Sequence, residues 1–191
     1  MAGLDHLIVR RATPADLEVL VDFSMAMAVE TEGRRLDWDR LRAGTRAVFE
    51  SPARGFYLVA EVPGAKPHSV VGQLLVTYEW SDWRNGSFWW IQSVYVDPPW
   101  RRRGVYRRLH EFVVREVRAR GDVCGVRLYV ESENIQAQTA YARVGLATTT
   151  YRVCEQDFVL ASRDPHRVST QREWPRPGAK PGANTEDGDA R

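Results

Sequence analysis

Apolar positions along the first half of the chain follow helical spacing, then strand-like spacing. Leu17, Leu20, Val21, Ser24 and Met25 share one face at helical intervals. Thr13-Pro14-Ala15-Asp16 introduces them as a helix start, with Thr13 as N-cap, Pro14 at the first helical position and an acid in the first turn. A second helix is predicted over residues 38–49, with Leu41, Thr45, Val48 and Phe49 inward and Pro52 and Gly55 closing it. Residues 6–11, 56–62, 69–78 and 87–96 read as strands. A Pro/Gly turn, the polar turn at residues 81–86 and Asp97-Pro98 bound the last three, which predicts an antiparallel meander.

Helical spacing returns after residue 104. Val105, Leu109, Phe112, Val113 and Val117 form an apolar stripe, with Arg107, Arg108, Glu111, Arg115 and Arg118 outward and Gly121 at the expected C-terminal cap. Residues 126–130 read as a strand, 135–144 as a helix ending at Gly145, and 147–160 as returning extended chain. From Arg163 onward Pro, Gly and charge dominate and little is apolar beyond Trp174. One domain over residues 1–162 and a disordered tail over 163–191 are expected.

Composition narrows the function classes. At 191 residues and a formal net charge of +2, the chain can bury a real core but lacks the global basic field that drives non-specific nucleic-acid binding. Cys124 and Cys154 lie far apart without metal-like spacing, so two reduced thiols and no metal site are expected. The opening MAGLDHLIVRRATPADL has no long apolar run, and no stretch reaches membrane-spanning length. A cytoplasmic protein with no membrane partner is the expectation.

The densest chemistry lies in WRRRGVYRR at residues 100–108, five arginines around Gly104. A strand feeding a loop whose glycine opens a helix is a physical recipe for an anion site. The free N–H groups of the helix start converge on the anion, and the helix dipole favours negative charge.

Three motifs occur in order. WWIQSVYVDPPW ends a strand in Asp-Pro; Arg101-Arg102-Arg103-Gly104-Val105-Tyr106 follows the pattern Q/R-x-x-G-x-G/A; and NIQAQTAYARVGL carries Asn134, Ala137, Tyr141 and Gly145. Together they resemble the GNAT superfamily of N-acetyltransferases, best over residues 87–146. The resemblance implies an α/β fold in which a mixed, mostly antiparallel sheet is flanked by helices, with acetyl-CoA in the cleft between splayed central strands. It also implies transfer of an acetyl group to a primary amine of a small molecule or peptide by direct attack in a ternary complex. Dimers are common in the family, so a homodimer is an open expectation.

By the same resemblance, backbone groups of Val94, Tyr95 and Val96 would hold the pantetheine arm and the oxyanion. The loop from Arg101 through Arg102, Arg103, Gly104, Val105, Tyr106 and Arg107 would face the pyrophosphate. Asn134 and Ala137 are carried over as cofactor-side positions, and Tyr141 as the donor of a proton to the departing thiolate. Tyr106 departs from the pattern, since a small residue usually closes this loop; its phenol fits only if it points away from the phosphates.

The residue that frees the amine of its proton carries no motif. Glu79 is the first candidate because its strand position is defined, and Trp80, Trp83, Trp89 and Trp90 around it suggest an aromatic-walled pocket, a core or a dimer contact. Asp82 follows it, and Glu30 and Glu32 end the first helix where an acceptor pocket is expected. Any of these carboxylates could instead attract a cationic acceptor. Two rival readings are a non-catalytic acyl-CoA sensor and a nucleic-acid module using the arginine loop, the second opposed by Glu111 and Glu116 on the same helix.

Overall fold

The computed structural model describes residues 6–66 and 69–159. In chain order the elements are β1 (Ile8–Arg11), α1 (Leu17–Glu32), α2 (Trp38–Glu50), β2 (Phe56–Glu61), β3 (Val70–Ser81), β4 (Gly86–Val96), α3 (Val105–Arg118), β5 (Val123–Leu128) and α4 (Ile135–Arg143). The sheet runs β1-β2-β3-β4-β5; β1 to β4 are antiparallel, and β5 joins β4 in parallel after the α3 crossover. This is the mixed α/β sheet flanked by helices that the motifs led us to expect.

β2 is apolar on nearly every position because both of its faces are covered. Leu58 and Ala60 pack with Leu74, Val76, Trp89 and Ile91 under Val105, Leu109 and Val113 of α3. Tyr57 and Val59 point to the opposite face, where they meet Leu20 and Phe23 of α1, Val48 and Phe49 of α2, and Tyr95 of β4. Strand alternation therefore sorts one apolar run into two cores.

Several boundaries differ from the sequence-based expectation. Pro14–Asp16 is a separate 3-10 turn, and α1 starts at Leu17. The Asp16 carboxylate binds Arg10 at 2.8 and 2.9 Å and the Thr13 amide at 2.7 Å, so it ties β1 to the start of α1. β3 runs on to Ser81 and β5 starts at Val123, because cross-strand pairing to β4 recruits polar and small residues that spacing alone leaves out. α3 ends at Arg118 with Ala119 as its cap, two residues before Gly121.

The chain divides at Thr148 and Thr149 into two compact units. No strand forms over residues 147–159, where Tyr151, Val153 and Phe158 are exposed. Alternation there marks β propensity, but a strand also needs an edge to pair with. The boundary expected at 162 and the tail over 163–191 lie outside the described residues.

Candidate active site

The site is built where β4 loses a neighbour. Leu75 of β3 faces Ser93 and Val76 faces Ile91, so Gln92 is an extra, bulged residue on β4. The last β4–β5 pair is Ile91 with Leu128. From Gln92 to Val96, β4 keeps β3 on one side and, among the described residues, pairs with no strand on the side of β5. Val94, Tyr95 and Val96 lie on this stretch, whose open edge offers backbone N–H and C=O groups to a ligand.

Beyond β4 the chain turns through Pro98–Trp100, held by Trp100 N–H to Asp97 O at 2.8 Å, and enters the arginine loop. Gly104 is the N-cap of α3 at φ +87°, a conformation that costs glycine little. The amides of Val105, Tyr106 and Arg107 precede the first helical acceptor, Gly104 O to Arg108 N–H, and no side chain caps the helix at Gly104. The five arginines then divide. Arg101 donates to Val96 O at 2.8 Å and to Glu30 Oε2 at 2.6 Å, and Arg107 pairs with Glu111 at 2.8 Å. Arg103 stacks over Trp100, its guanidinium 5.1 Å from the ring centroid. The side chains of Arg102 and Arg108 have no hydrogen-bond or ion-pair partner among the described residues.

Glu30 is central to this arrangement. The Tyr95 hydroxyl donates to its Oε1 at 2.7 Å while Arg101 takes Oε2, so both carboxylate oxygens are engaged. Partial burial pushes the Glu30 carboxyl up, but these two hydrogen bonds outweigh it and leave the group below its ordinary value. Burial, with help from Glu30, pushes the Tyr95 phenol up to about 12.

Tyr106 turns its ring toward α4. Its centroid lies 5.2 Å from that of Tyr141 in an edge-on arrangement and 5.9 Å from that of His110, one turn further along α3. The Tyr106 hydroxyl and His110 Nε2 are buried without a hydrogen-bond partner among the described residues. Burial raises the phenols of both Tyr106 and Tyr141, and lowers His110 toward the neutral imidazole.

The model of the Acetyltransferase (GNAT) family matches residues 19–146, from α1 to just past α4. The chain belongs to the GNAT family of acetyltransferases. A possible acetyltransferase from Clostridium difficile 630 is 38% identical, with a TM-score of 0.73 over 81% of this chain and 99% of its own. Aminoglycoside N-acetyltransferase AAC(6')-Iy in complex with CoA shares the fold at 15% identity and TM-score 0.64, over 81% of this chain and 96% of its own. An aminoglycoside acetyltransferase from an uncultured soil metagenomic sample does so at 18% and 0.62, over 82% and 99%. No curated protein matches the chain.

Placed on this GNAT fold, the remaining candidates separate. Asn134 is the N-cap of α4, its Oδ1 accepting from Ala137 N–H at 3.0 Å, so the two residues orient the helix that carries Tyr141. Glu30 lines an open cleft of about 400 Å3 with Thr31, Glu131, Glu133, Asn134, Ile135 and Gln136. Glu32 is exposed at the last position of α1. Asp82 sits in the β3–β4 turn and accepts from Trp83 N–H at 2.8 Å.

Glu79 is not brought to this group. It pairs with Arg127 at 2.7 Å across the Phe88 ring, and its register partner Phe88 precedes Val94 along β4 by a distance of roughly 20 Å. The four tryptophans do not wall one pocket either: Trp89 is in the core, Trp90 packs on Tyr129, and Trp80 and Trp83 are exposed near the hairpin turn. Strand alternation sends neighbours to opposite faces. Sequence reasoning missed Glu131 and Glu133, which stand three and five residues past the end of the parallel strand at Leu128, and His110, whose place beside Leu109 was the available signal.

Proposed function

We propose that this acetyltransferase moves the acetyl group of acetyl-CoA onto a primary amine seated in the cleft beside Glu30, by direct attack with both substrates bound. The unpaired end of β4, running through the loop into the uncapped start of α3, carries the reading. The residues present suit the cofactor. The amides of Val105, Tyr106 and Arg107 would take the pyrophosphate, with Arg102, Arg103 and Arg108 adding charge-assisted bonds. Backbone groups of Val94, Tyr95 and Val96 would hold the pantetheine arm and the developing oxyanion. Bound acetyl-CoA supplies an activated thioester.

Tyr141 holds the proton that the departing sulfur takes. Its raised phenol stays protonated throughout the neutral range, so the donor is always loaded. Glu30, with both oxygens engaged, is a poor base; with Glu131, Glu133 and the adjacent Glu32 it favours a cationic acceptor. The ammonium then loses its proton to water in the cleft, since Glu79 is engaged elsewhere.

A thiol-release assay with acetyl-CoA and a panel of polyamines, aminoglycosides, amino acids and lysine peptides tests this. Release with a cationic amine is expected, and Tyr141→Phe should lower kcat about a hundredfold with acetyl-CoA affinity unchanged. Cofactor binding without release across the panel would instead favour an acyl-CoA sensor. Unchanged turnover in Tyr141→Phe would remove that residue from the mechanism.

A further inference from the structure

We propose that Glu30 is a positioning residue for the cofactor. It holds Arg101 across the loop end of the open β4 edge, so that edge and loop stand in binding geometry before acetyl-CoA arrives. The inference rests on the reading of β4 and the arginine loop as the cofactor site. Four contacts close the arrangement into a circuit. The Tyr95 hydroxyl donates to Glu30 Oε1 at 2.7 Å, and Arg101 donates to Glu30 Oε2 at 2.6 Å and to Val96 O at 2.8 Å. The Arg101 guanidinium also lies 5.2 Å from the centroid of the Tyr95 ring.

Strand geometry gives the circuit its role. Asp97 N–H donates to Val71 O at 3.0 Å, so ladder alternation turns the N–H and C=O of Val96 away from β3, onto the unpaired side. Arg101 therefore occupies the last open-edge carbonyl before the loop and pins the first loop residue to the strand it leaves. An arginine has many rotamers, and fixing it only when a ligand binds costs affinity. Glu30 fixes it beforehand.

Other reasons for an acid at this position fall short. Tyr95 is buried and its ring lies 5.1 Å from that of Phe23 on α1, the helix that also carries Glu30. Yet Glu30 stands in the last turn of α1, where the helix dipole disfavours an acid, so helix stability does not account for it. Fold stability does not either: the Arg101 and Glu30 side chains are 41% and 40% exposed, and exposed ion pairs contribute little. A carboxylate beside the loop also repels an anionic cofactor. By charge alone its removal would tighten binding, whereas a positioning role predicts the opposite sign.

Titration calorimetry of CoA into the free protein needs no acceptor and reads that sign directly. Glu30→Ala should raise the CoA Kd about tenfold, the scale of one hydrogen bond between charged groups. Its thermal midpoint should stay within about 2 °C of wild type. Glu30→Gln, which keeps an oxygen for Arg101, should hold the Kd within about threefold of wild type. Arg101→Ala should weaken binding at least as much as Glu30→Ala, and the double variant should bind no more weakly than Arg101→Ala. Unchanged or tighter binding in Glu30→Ala, an equal loss in Glu30→Gln, or additive losses in the double variant overturns the proposal. If wild type binds no CoA, the cofactor reading is what has failed, and the proposal falls with it.

Discussion

His110 lies on the inward face of α3 among Leu109, Val113 and Tyr106, only 5% exposed, with Glu111 the next residue along the helix. Burial lowers its folded-state pKa below the ordinary 6.5, against a smaller opposing pull from Glu111. Between the folded and unfolded values the unfolded chain binds more protons, so stability rises with pH there. The contribution is complete above about 6.5, is lost as pH falls through the folded pKa, and is flat below it. Thermal midpoints between pH 8 and 5 should therefore fall in wild type and fall less in His110→Phe. Equal slopes in the two proteins would mean the imidazole is not held neutral. Asp16 acts in a lower window. Burial raises its carboxyl, but Arg10 and Thr13 outweigh that and bring it below 3.8, so its contribution persists until the solution is strongly acid.

At the scale of elements, Gly55 fixes how α2 hands the chain to β2. It has φ +143°, and a Cβ there would lie 2.0 Å from Val76 O of β3, a backbone atom that cannot rotate aside. Gly55→Ala should cost about 3 kcal/mol or more, a fall of roughly 10 °C in midpoint, where Gly64→Ala at a turn open to solvent should cost less. Similar midpoints for both would show that β2 and β3 move apart easily. Periodicity could show Gly55 only as the end of a helix. The same divide runs through the whole reading: α1, α2 and the meander are legible because each buries an apolar face of its own rhythm. The slip at Gln92 and the recruitment of Glu79–Ser81 into β3 are set by partners distant in sequence, and no local pattern encodes them. Within the candidate site, the Arg-Gly loop and Tyr141 are singled out by the motifs that carry them. The union of Glu30, Tyr95 and Arg101 could not be singled out, since it joins α1, β4 and the loop across 71 residues.

Across the whole molecule the formal charge is nearly balanced at +2, so any steering has to come from how charge is distributed. Glu30, Glu131 and Glu133 line the cleft, and Arg101 of the arginine loop pairs with Glu30 at 2.6 Å, so acidic and basic groups meet there. Such groups act at short range, because exposed charges are screened beyond about 10 Å at 0.1 M salt. A polycation bridging several cleft carboxylates should then feel added salt more than a monoamine that meets one. Raising ionic strength from about 0.02 to 0.2 M should increase KM several-fold for a triamine and less than twofold for a monoamine. The two kcat values should hold, since the half-buried Tyr141 phenol that gives up the proton carries no charge for salt to screen. Parallel salt responses of the two KM values would show that the acids do not read acceptor charge. The cleft would then select by shape, through Ile135 and the aliphatic parts of Thr31 and Gln136, and neutral amines of matching size would become the acceptors to try.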